Sequence, residues 1–448
     1  MQNVVIKSIS NYTSEQLEAL SLIKEWYFGK NREQVFRLTG LAGTGKTYLL
    51  SHLEDELNCT ILYLAYTGKA CNNLAVKGLG SKTIHSVLYR PVETEYEPSF
   101  KLLANIIQEF HLTCSMEDCK AKLLEAFGNA SSSKTLSFVR KDSSEEEIPS
   151  LLVVDEASMV NQKLYRDLLS LGVKVLLCGD PGQLPPIEKD TEFSALSHPN
   201  FTLKSIQRQQ LNNPIITLAH KIYNWQLEGI EYNSPYSSDE GMALILNRNI
   251  NTDGQETPKE VEKLMLQADQ VLCYTNKYRA YVNEYVRREK GYDSVYPVPG
   301  DKLICIRNNW NLITDDVPLV NGQIGECVSF EIGKKRHKNR NYSVGILKFR
   351  PDYTNDVLET KISLNPFDGT MDSEDLPVDR FDFGYAITVH KSQGSEWDNV
   401  LAVYDMAITV DNLKEWLYTA LTRAKKQVIL YLPKVSSIQN IRRVASNR

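Results

Sequence analysis

The 448-residue chain has no run near the roughly 20 consecutive apolar residues of a membrane-spanning helix, so a membrane protein is not expected. The polar opening MQNVVIKSISNYTSEQ lacks the apolar stretch of a secretory signal, and a cytoplasmic address is the expectation. Cysteine is sparse and scattered, at positions 59, 71, 114, 119, 178, 273, 305 and 327. Most of these lie in apolar runs, which reads as reduced core residues and not as a disulfide framework. His111, Cys114 and Cys119 lie near one another but lack paired CxxC spacing and a fourth ligand, which argues against structural zinc. No strong excess of one charge exists either. The net charge of −5 disfavours a purely electrostatic nucleic-acid binder without excluding local phosphate contacts. One basic cluster, Lys334, Lys335, Arg336, His337, Lys338 and Arg340, reads equally as a solvated hairpin loop or as a contact with nucleic acid. Low complexity is confined to residues 129–134 and 142–147, both loop-like.

What is present is an α/β pattern. The chain is long enough for two to four domains, with 42% hydrophobic residues to fill them. Residues 14–28 put Leu20, Ile23, Trp26 and Tyr27 on one helical face, and Thr13 with Gln16 forms a capping-box pattern. The runs QVFRL (34–38), TILYLAYT (60–67), LLVVDE (151–156) and VKVLLCGD (173–180) are near-continuously apolar, as in a parallel sheet covered on both faces. A second set follows in QVLCYTN (270–276), NVLAVYD (399–405) and QVILYLP (427–433), with the helix-like KYRAYVNEYVRRE (277–289) between its members. Between about 293 and 376 short alternating segments predict a small β-barrel-like insert.

Gly40 through Thr47 (GLAGTGKT) fit G-x-x-x-x-G-K-[ST] between a strand and a helix. Such a P-loop turns backbone N–H groups of Ala42, Gly43, Thr44 and Gly45 towards phosphates, neutralises β and γ oxygens with Lys46 and offers the Thr47 hydroxyl to Mg²⁺. The strand 151–156 ends in Asp155 and Glu156, one carboxylate for the Mg²⁺ shell and one to orient or deprotonate the attacking water. ATP and Mg²⁺ are therefore the expected cofactors. GDPGQLPPI (179–187) closes the next strand, with Gln183 placed to sense the γ-phosphate.

With these in order, the chain resembles the superfamily 1 helicases. VVDEASM (153–159) is similar to their motif II, GDPGQLPP (179–186) to motif III, FDFGYAITVHKSQGSEWDNV (381–400) to motif V and LYTALTRAKKQV (417–428) to motif VI. TIHSVL (83–88) and the β insert resemble the RecD and phage Dda type (superfamily 1B), which are 5′→3′ DNA helicases. The resemblance implies two RecA-like domains with ATP hydrolysed between them. The first comprises 1–85 and 148–198, with a wedge hairpin and helical insertion at 86–147; the second comprises 199–292 and 377–448, with an SH3-like insertion at 293–376. The wedge arms would be 86–95 and 134–142, and the helix-like 99–127 between them is longer than in the simplest relatives.

It further implies that Arg208 and Arg423 reach the γ-phosphate, that Gln16 reads adenine, and that Gly394 and Glu396 lie near the nucleotide. Surface ion pairing is the alternative for the arginines, and capping of Thr13 the alternative for Gln16. Contacts to nucleic acid are implied for Tyr66, Thr67, Lys69, Thr83, His85, Thr275, Asn276, Thr388, His390 and Lys391, although His85 and His390 equally suit structural roles. The expected partner is single-stranded DNA and forked duplex, handled by a monomer, with replication or recombination proteins as further partners. An RNA helicase, a non-unwinding translocase and a subunit of a recombination or replication complex stay open as alternatives.

Overall fold

The computed structural model describes residues 12–30, 33–95, 134–140, 149–186, 193–207, 212–226, 231–248, 259–314, 317–337, 340–369, 376–405 and 412–433. The helix-like 99–127 stretch, the His111/Cys114/Cys119 group, the low-complexity segments apart from Lys134, and Arg208 lie outside them.

The helix Ser14–Phe28 begins where predicted. Thr13 Oγ1 accepts from the Gln16 N–H, and Gln16 Oε1 accepts from the Thr13 N–H, completing the capping box. Strands β1 (Val35–Gly40), β2 (Ile61–Ala65), β3 (Ser81–Thr83), β6 (Leu151–Asp155), β7 (Lys174–Gly179) and β8 (Phe201–Leu203) form one sheet in the order β3-β2-β6-β7-β1-β8. Every pairing is parallel. The unbroken apolar run of β6 follows from this. Leu151 and Val153 face the core that holds Ile23 and Trp26, whereas Leu152 and Val154 face the opposite core with Ile84, Leu164 and Leu168.

Strand β8 corrects the expected domain boundary at 198/199. Leu38 pairs with Phe201 and Gly40 with Leu203, so the first sheet continues past that point. A three-residue strand in a loop-rich stretch carries no periodicity to reveal it.

Between β3 and β6, β4 (Tyr89–Glu95) and β5 (Lys134–Arg140) pair antiparallel from Tyr89↔Arg140 to Glu95↔Lys134, joining the two expected hairpin arms.

The second sheet runs β19-β11-β20-β21-β10-β9, built from β9 (Pro235–Ser238), β10 (Gly241–Arg248), β11 (Gln270–Cys273), β19 (Ala386–Thr388), β20 (Trp397–Val403) and β21 (Ala424–Pro433). All its pairings are parallel except that of the edge strand β9. The helix Asn276–Glu289 lies against β19 and β11.

The insert is an antiparallel five-stranded sheet, β17-β16-β15-β12-β18, made of β12 (Lys302–Cys305), β15 (Ile324–His337), β16 (Arg340–Pro351), β17 (Leu358–Ile362) and β18 (Phe381–Phe383). A two-stranded ribbon, β13 (Asn309–Thr314) with β14 (Val317–Leu319), completes it. Its core is Leu303, Cys327, Leu347, Phe349, Ile362 and Phe381. Here the boundary expected at 376 falls short, because Phe381–Phe383 pairs with β12 before the chain returns to the parallel sheet. The basic residues Lys334, Lys335, Arg336, His337 and Arg340 occupy the far end of the long β15–β16 hairpin, with Lys334 and Arg336 exposed on one face, and Lys338 lies outside the described residues.

Among the described residues, no helix is long and apolar enough to cross a membrane, and no group of three or more His, Cys, Asp or Glu could hold a metal. Cys71, Cys178, Cys273, Cys305 and Cys327 are buried free thiols, while Cys59 is only half-buried.

Candidate active site in the cleft between the sheets

The topology concentrates chemistry at the carboxyl ends of β1, β6 and β7, three neighbours in the first sheet. The P-loop follows β1, and Gly43 and Gly45 both take φ of 81°, a left-handed backbone that glycine alone adopts freely. Lys46 Nζ donates to the carbonyls of Gly40 (2.6 Å) and Leu41 (3.0 Å) and lies 3.8 Å from Asp180 Oδ2.

Asp155 and Glu156 follow β6. Glu156 is a non-glycine residue at φ 52°, which turns the chain sharply out of the strand at this point. Burial raises both carboxyls above their ordinary range. For Glu156 the neighbouring Asp155 charge adds to that, and its pKa reaches about 7 despite the opposing pull of Arg423 and Lys46.

After β7, Asp180 and Gln183 are buried, and Gln183 Oε1 has no hydrogen-bond partner among the described residues. Arg423, 4% exposed, comes from the second domain just before β21. Its guanidinium donates to Thr419 O, Ser395 O and Thr422 Oγ1, each at 3.2 Å.

These groups line one cleft of about 1290 Å³, with Lys46, Thr47, Asp155, Glu156 and Gln183 on the first-domain side and Glu396 and Arg423 on the second. The volume exceeds that of most small-molecule sites, as a nucleoside triphosphate with room for domain movement requires. Thr47 and Asp155 bring a hydroxyl and a carboxylate to the wall, oxygen donors of the kind Mg²⁺ takes together with phosphate.

Not every predicted residue joins the cleft. Gly394 is off its wall. Its backbone (φ 74°) packs against Thr67 and Ala70, and its carbonyl accepts from Asn73 Nδ2 at 2.7 Å, a contact between domains. Gly40 and Thr44 are also off the wall: Gly40 serves through its carbonyl to Lys46, and the Thr44 hydroxyl turns inward to Leu41 O. Gln16 takes up the capping alternative. While Oε1 completes the capping box, Nε2 donates to Gly45 O at 3.2 Å, so the amide is engaged by the loop itself.

The residues expected on the nucleic-acid track gather at one end of each sheet. Tyr66, Thr67, Lys69 and His85 follow β2 and β3, with Thr83 the last residue of β3, and Thr275, Asn276, His390 and Lys391 follow β11 and β19, with Thr388 the last residue of β19. Thr67, Thr83 and Thr275 cap the helices Gly68–Val76, Ile84–Leu88 and Asn276–Glu289, and the Thr275 hydroxyl also bonds Asp405. The His85 ring lies between Tyr66 and Tyr89, with centroids at 5.6 and 5.8 Å. Burial lowers the His390 pKa, which keeps that ring neutral at physiological pH. Lys69 is tied down: it pairs with Asp352 of the insert at 3.2 Å and lies over the Trp397 ring at 5.1 Å.

Sequence reasoning missed three participants. Gln207, beside Arg208, donates from its backbone to Gly43 O (2.9 Å) and from its side chain to Thr44 O (3.1 Å). His220 Nε2 donates to Ala42 O (3.0 Å), and Tyr418 reaches the same residue from motif VI. The only signal was position, Gln207 and Tyr418 being motif neighbours of Arg208 and Arg423.

Comparison with known proteins fits this layout. Residues 12–231 match the model of an AAA domain, and 383–431 that of a UvrD-like helicase C-terminal domain. The chain is similar to the ATP-dependent RecD2 DNA helicase of Deinococcus radiodurans, 26% identical over 408 residues that cover 87% of this chain and 45% of that protein. It is also similar to the RecBCD enzyme subunit RecD of Buchnera aphidicola, 22% identical over 466 residues covering 90% and 71%. The chain thus spans about half the length of the RecD2 relative. A solved structure from a study of DNA unwinding at forked dsDNA by two coordinating Pif1 helicases superimposes with a TM-score of 0.51 at 17% identity, covering 97% of this chain and 98% of that one, a likeness of fold.

Proposed function

We propose, for a chain that belongs to superfamily 1B of the helicases, that it is an ATP-dependent DNA helicase that moves 5′→3′ along single-stranded DNA and parts a forked duplex. The observation that carries this reading is the shared cleft, in which Lys46 from one parallel sheet and Arg423 from the other face a single space.

A γ-phosphate in that space attracts both cations and draws the domains together. Lys46 exchanges its carbonyl partners for phosphate oxygens, and Arg423 stabilises the charge that develops in the transition state. Glu156, poised near neutrality, takes the proton of the attacking water, and Gln183 offers its open acceptor to orient that water. Thr47 and Asp155 would hold Mg²⁺, whose charge would offset that of the phosphate oxygens. Loss of the terminal phosphate removes the bridge and lets the domains separate. Alternating grip at the β2/β3 end of one sheet and the β11/β19 end of the other converts this cycle into steps along phosphate, without reading bases. The β4–β5 hairpin serves as the wedge, the antiparallel insert as an SH3-like module, and the unit acts in the cytoplasm as a monomer. Arg208 joins Arg423 as a second γ-phosphate contact.

The test is unwinding of forked duplexes carrying either a 5′ or a 3′ single-stranded tail. Unwinding confined to the 5′ tail is expected; preference for the 3′ tail refutes the direction, and unwinding of neither refutes the helicase reading.

A further inference from the structure

The helix Leu413–Leu421 does more than deliver Arg423 to the cleft. Tyr418, fully buried on that helix, crosses into the first domain. Its hydroxyl accepts from the Ala42 N–H of the P-loop at 2.6 Å and donates to Asp180 Oδ2 at 2.7 Å. The other oxygen of Asp180 accepts from the Gly182 N–H at 2.9 Å, and Lys46 lies 3.8 Å from Oδ2. One phenol therefore joins the phosphate-binding loop, the loop after β7 and the helix that leads to Arg423.

The surroundings are built for this ring. A Cβ on Gly182 would lie 2.8 and 2.9 Å from ring carbons of Tyr418 and 3.0 Å from Tyr223, so glycine at 182 leaves the slot that the phenol fills. The next residue repeats the connection: Thr419 Oγ1 accepts from the Leu184 N–H at 2.9 Å, and Gln393 donates to Leu184 O at 2.8 Å. His220 closes the grip on the far side of Ala42 through its carbonyl. Burial and the Asp180 charge hold the Tyr418 pKa well above its ordinary value, so the phenol keeps the proton it donates.

We propose that Tyr418 is a positioning residue that fastens the last turn of the motif VI helix to the P-loop peptide and to Asp180, and so sets where the Arg423 guanidinium stands relative to the terminal phosphate. The inference rests on the hydrolytic reading given above. Tyr418 touches no reacting atom. It acts through Arg423, just past the end of the helix, whose Nε donates to the carbonyl of Thr419. Without the hydroxyl, the Ala42 N–H and Asp180 Oδ2 lose a buried partner each, and the closed arrangement becomes less populated.

The experiment compares single-strand-stimulated ATP hydrolysis by the full chain and by the variants Tyr418→Phe, Gly182→Ala, Arg423→Ala and the Tyr418→Phe/Arg423→Ala double. Tyr418→Phe should lower kcat about tenfold while KM for ATP stays within about threefold. In the Arg423→Ala background the same change should cost less than about twofold, because the group it positions is already gone. Gly182→Ala, which displaces the ring without removing the hydroxyl, should reproduce the kcat loss and carries the test if Tyr418→Phe does not fold. A Tyr418→Phe kcat within about twofold of wild type, or an undiminished loss in the Arg423→Ala background, overturns the proposal. Absence of stimulated hydrolysis in the wild-type chain would instead overturn the parent reading, and this inference with it.

Discussion

Replacing Glu156 with Gln should abolish hydrolysis and make the protein more stable, and the two effects have one cause. The Glu156 carboxyl is buried beside Asp155, and its pKa rises from 4.5 to about 7. A group that binds its proton more tightly in the folded state than in the unfolded one stabilises the fold at low pH. That contribution is complete below about pH 4.5, where the unfolded side chain is also protonated, and it is lost as pH rises through 7. A tenfold change in proton affinity is worth about 1.4 kcal/mol, so the charged carboxylate costs the fold up to about 3 kcal/mol at pH 8. Glutamine keeps the shape and carries no charge. Thermal melts of wild type and Glu156→Gln at pH 8 and at pH 4.5 measure the difference directly. The variant should melt several degrees higher at pH 8, and the gap should close at the lower pH. A pH-independent gap, or a variant less stable at pH 8, would refute the reasoning, because the carboxylate would then not be held against its own charge. The same titration predicts that kcat/KM falls below about pH 7, where the base is protonated.

Other substitutions test other parts of the arrangement. Lys46→Ala should abolish single-strand-stimulated hydrolysis while sparing DNA binding, and Arg423→Ala should lower kcat by about 10³ or more; a filter-binding assay beside a phosphate-release assay separates the two properties. Gln16→Ala should raise KM for ATP and GTP to the same extent, since its amide is spent on Thr13 and Gly45; a rise for ATP alone would restore the adenine-reading role. Asp352→Asn should free the Lys69 ammonium and tighten binding to single-stranded DNA at low salt, whereas Lys69→Ala should weaken it and reduce the salt slope by about 1, both measured by fluorescence anisotropy across a salt series.

Local chemistry made much of this protein legible before any fold was known. A glycine-rich turn with Lys46 and Thr47 between a strand and a helix, and an apolar strand ending in Asp155 and Glu156, state their purpose within a few residues. Phosphate binding requires backbone N–H groups from consecutive positions, and no distant partner is needed to specify them. The two parallel sheets were equally readable, because strands covered on both faces must be apolar throughout, and Leu151 to Val154 are. The Thr13–Gln16 cap is likewise a contact across three residues.

Short elements and long-range partners were not readable. Strand β8 has three residues and belongs to the first sheet only because β1 offers it an open edge. Gly394 sits in motif V, yet it packs on Thr67 and not on the nucleotide cleft, and Lys69 finds Asp352 across 283 positions. The sequence by itself singled out the groups proposed to handle phosphate and determined on what kind of sheet they stand, since those readings follow from residue type and spacing. Only the tertiary structure decided that Arg423 and Lys46 share one cleft, and that Tyr418 ties the P-loop to the helix leading to that arginine. Contacts between separately folded layers depend on how two surfaces meet, and no periodicity within either strand or helix records that meeting.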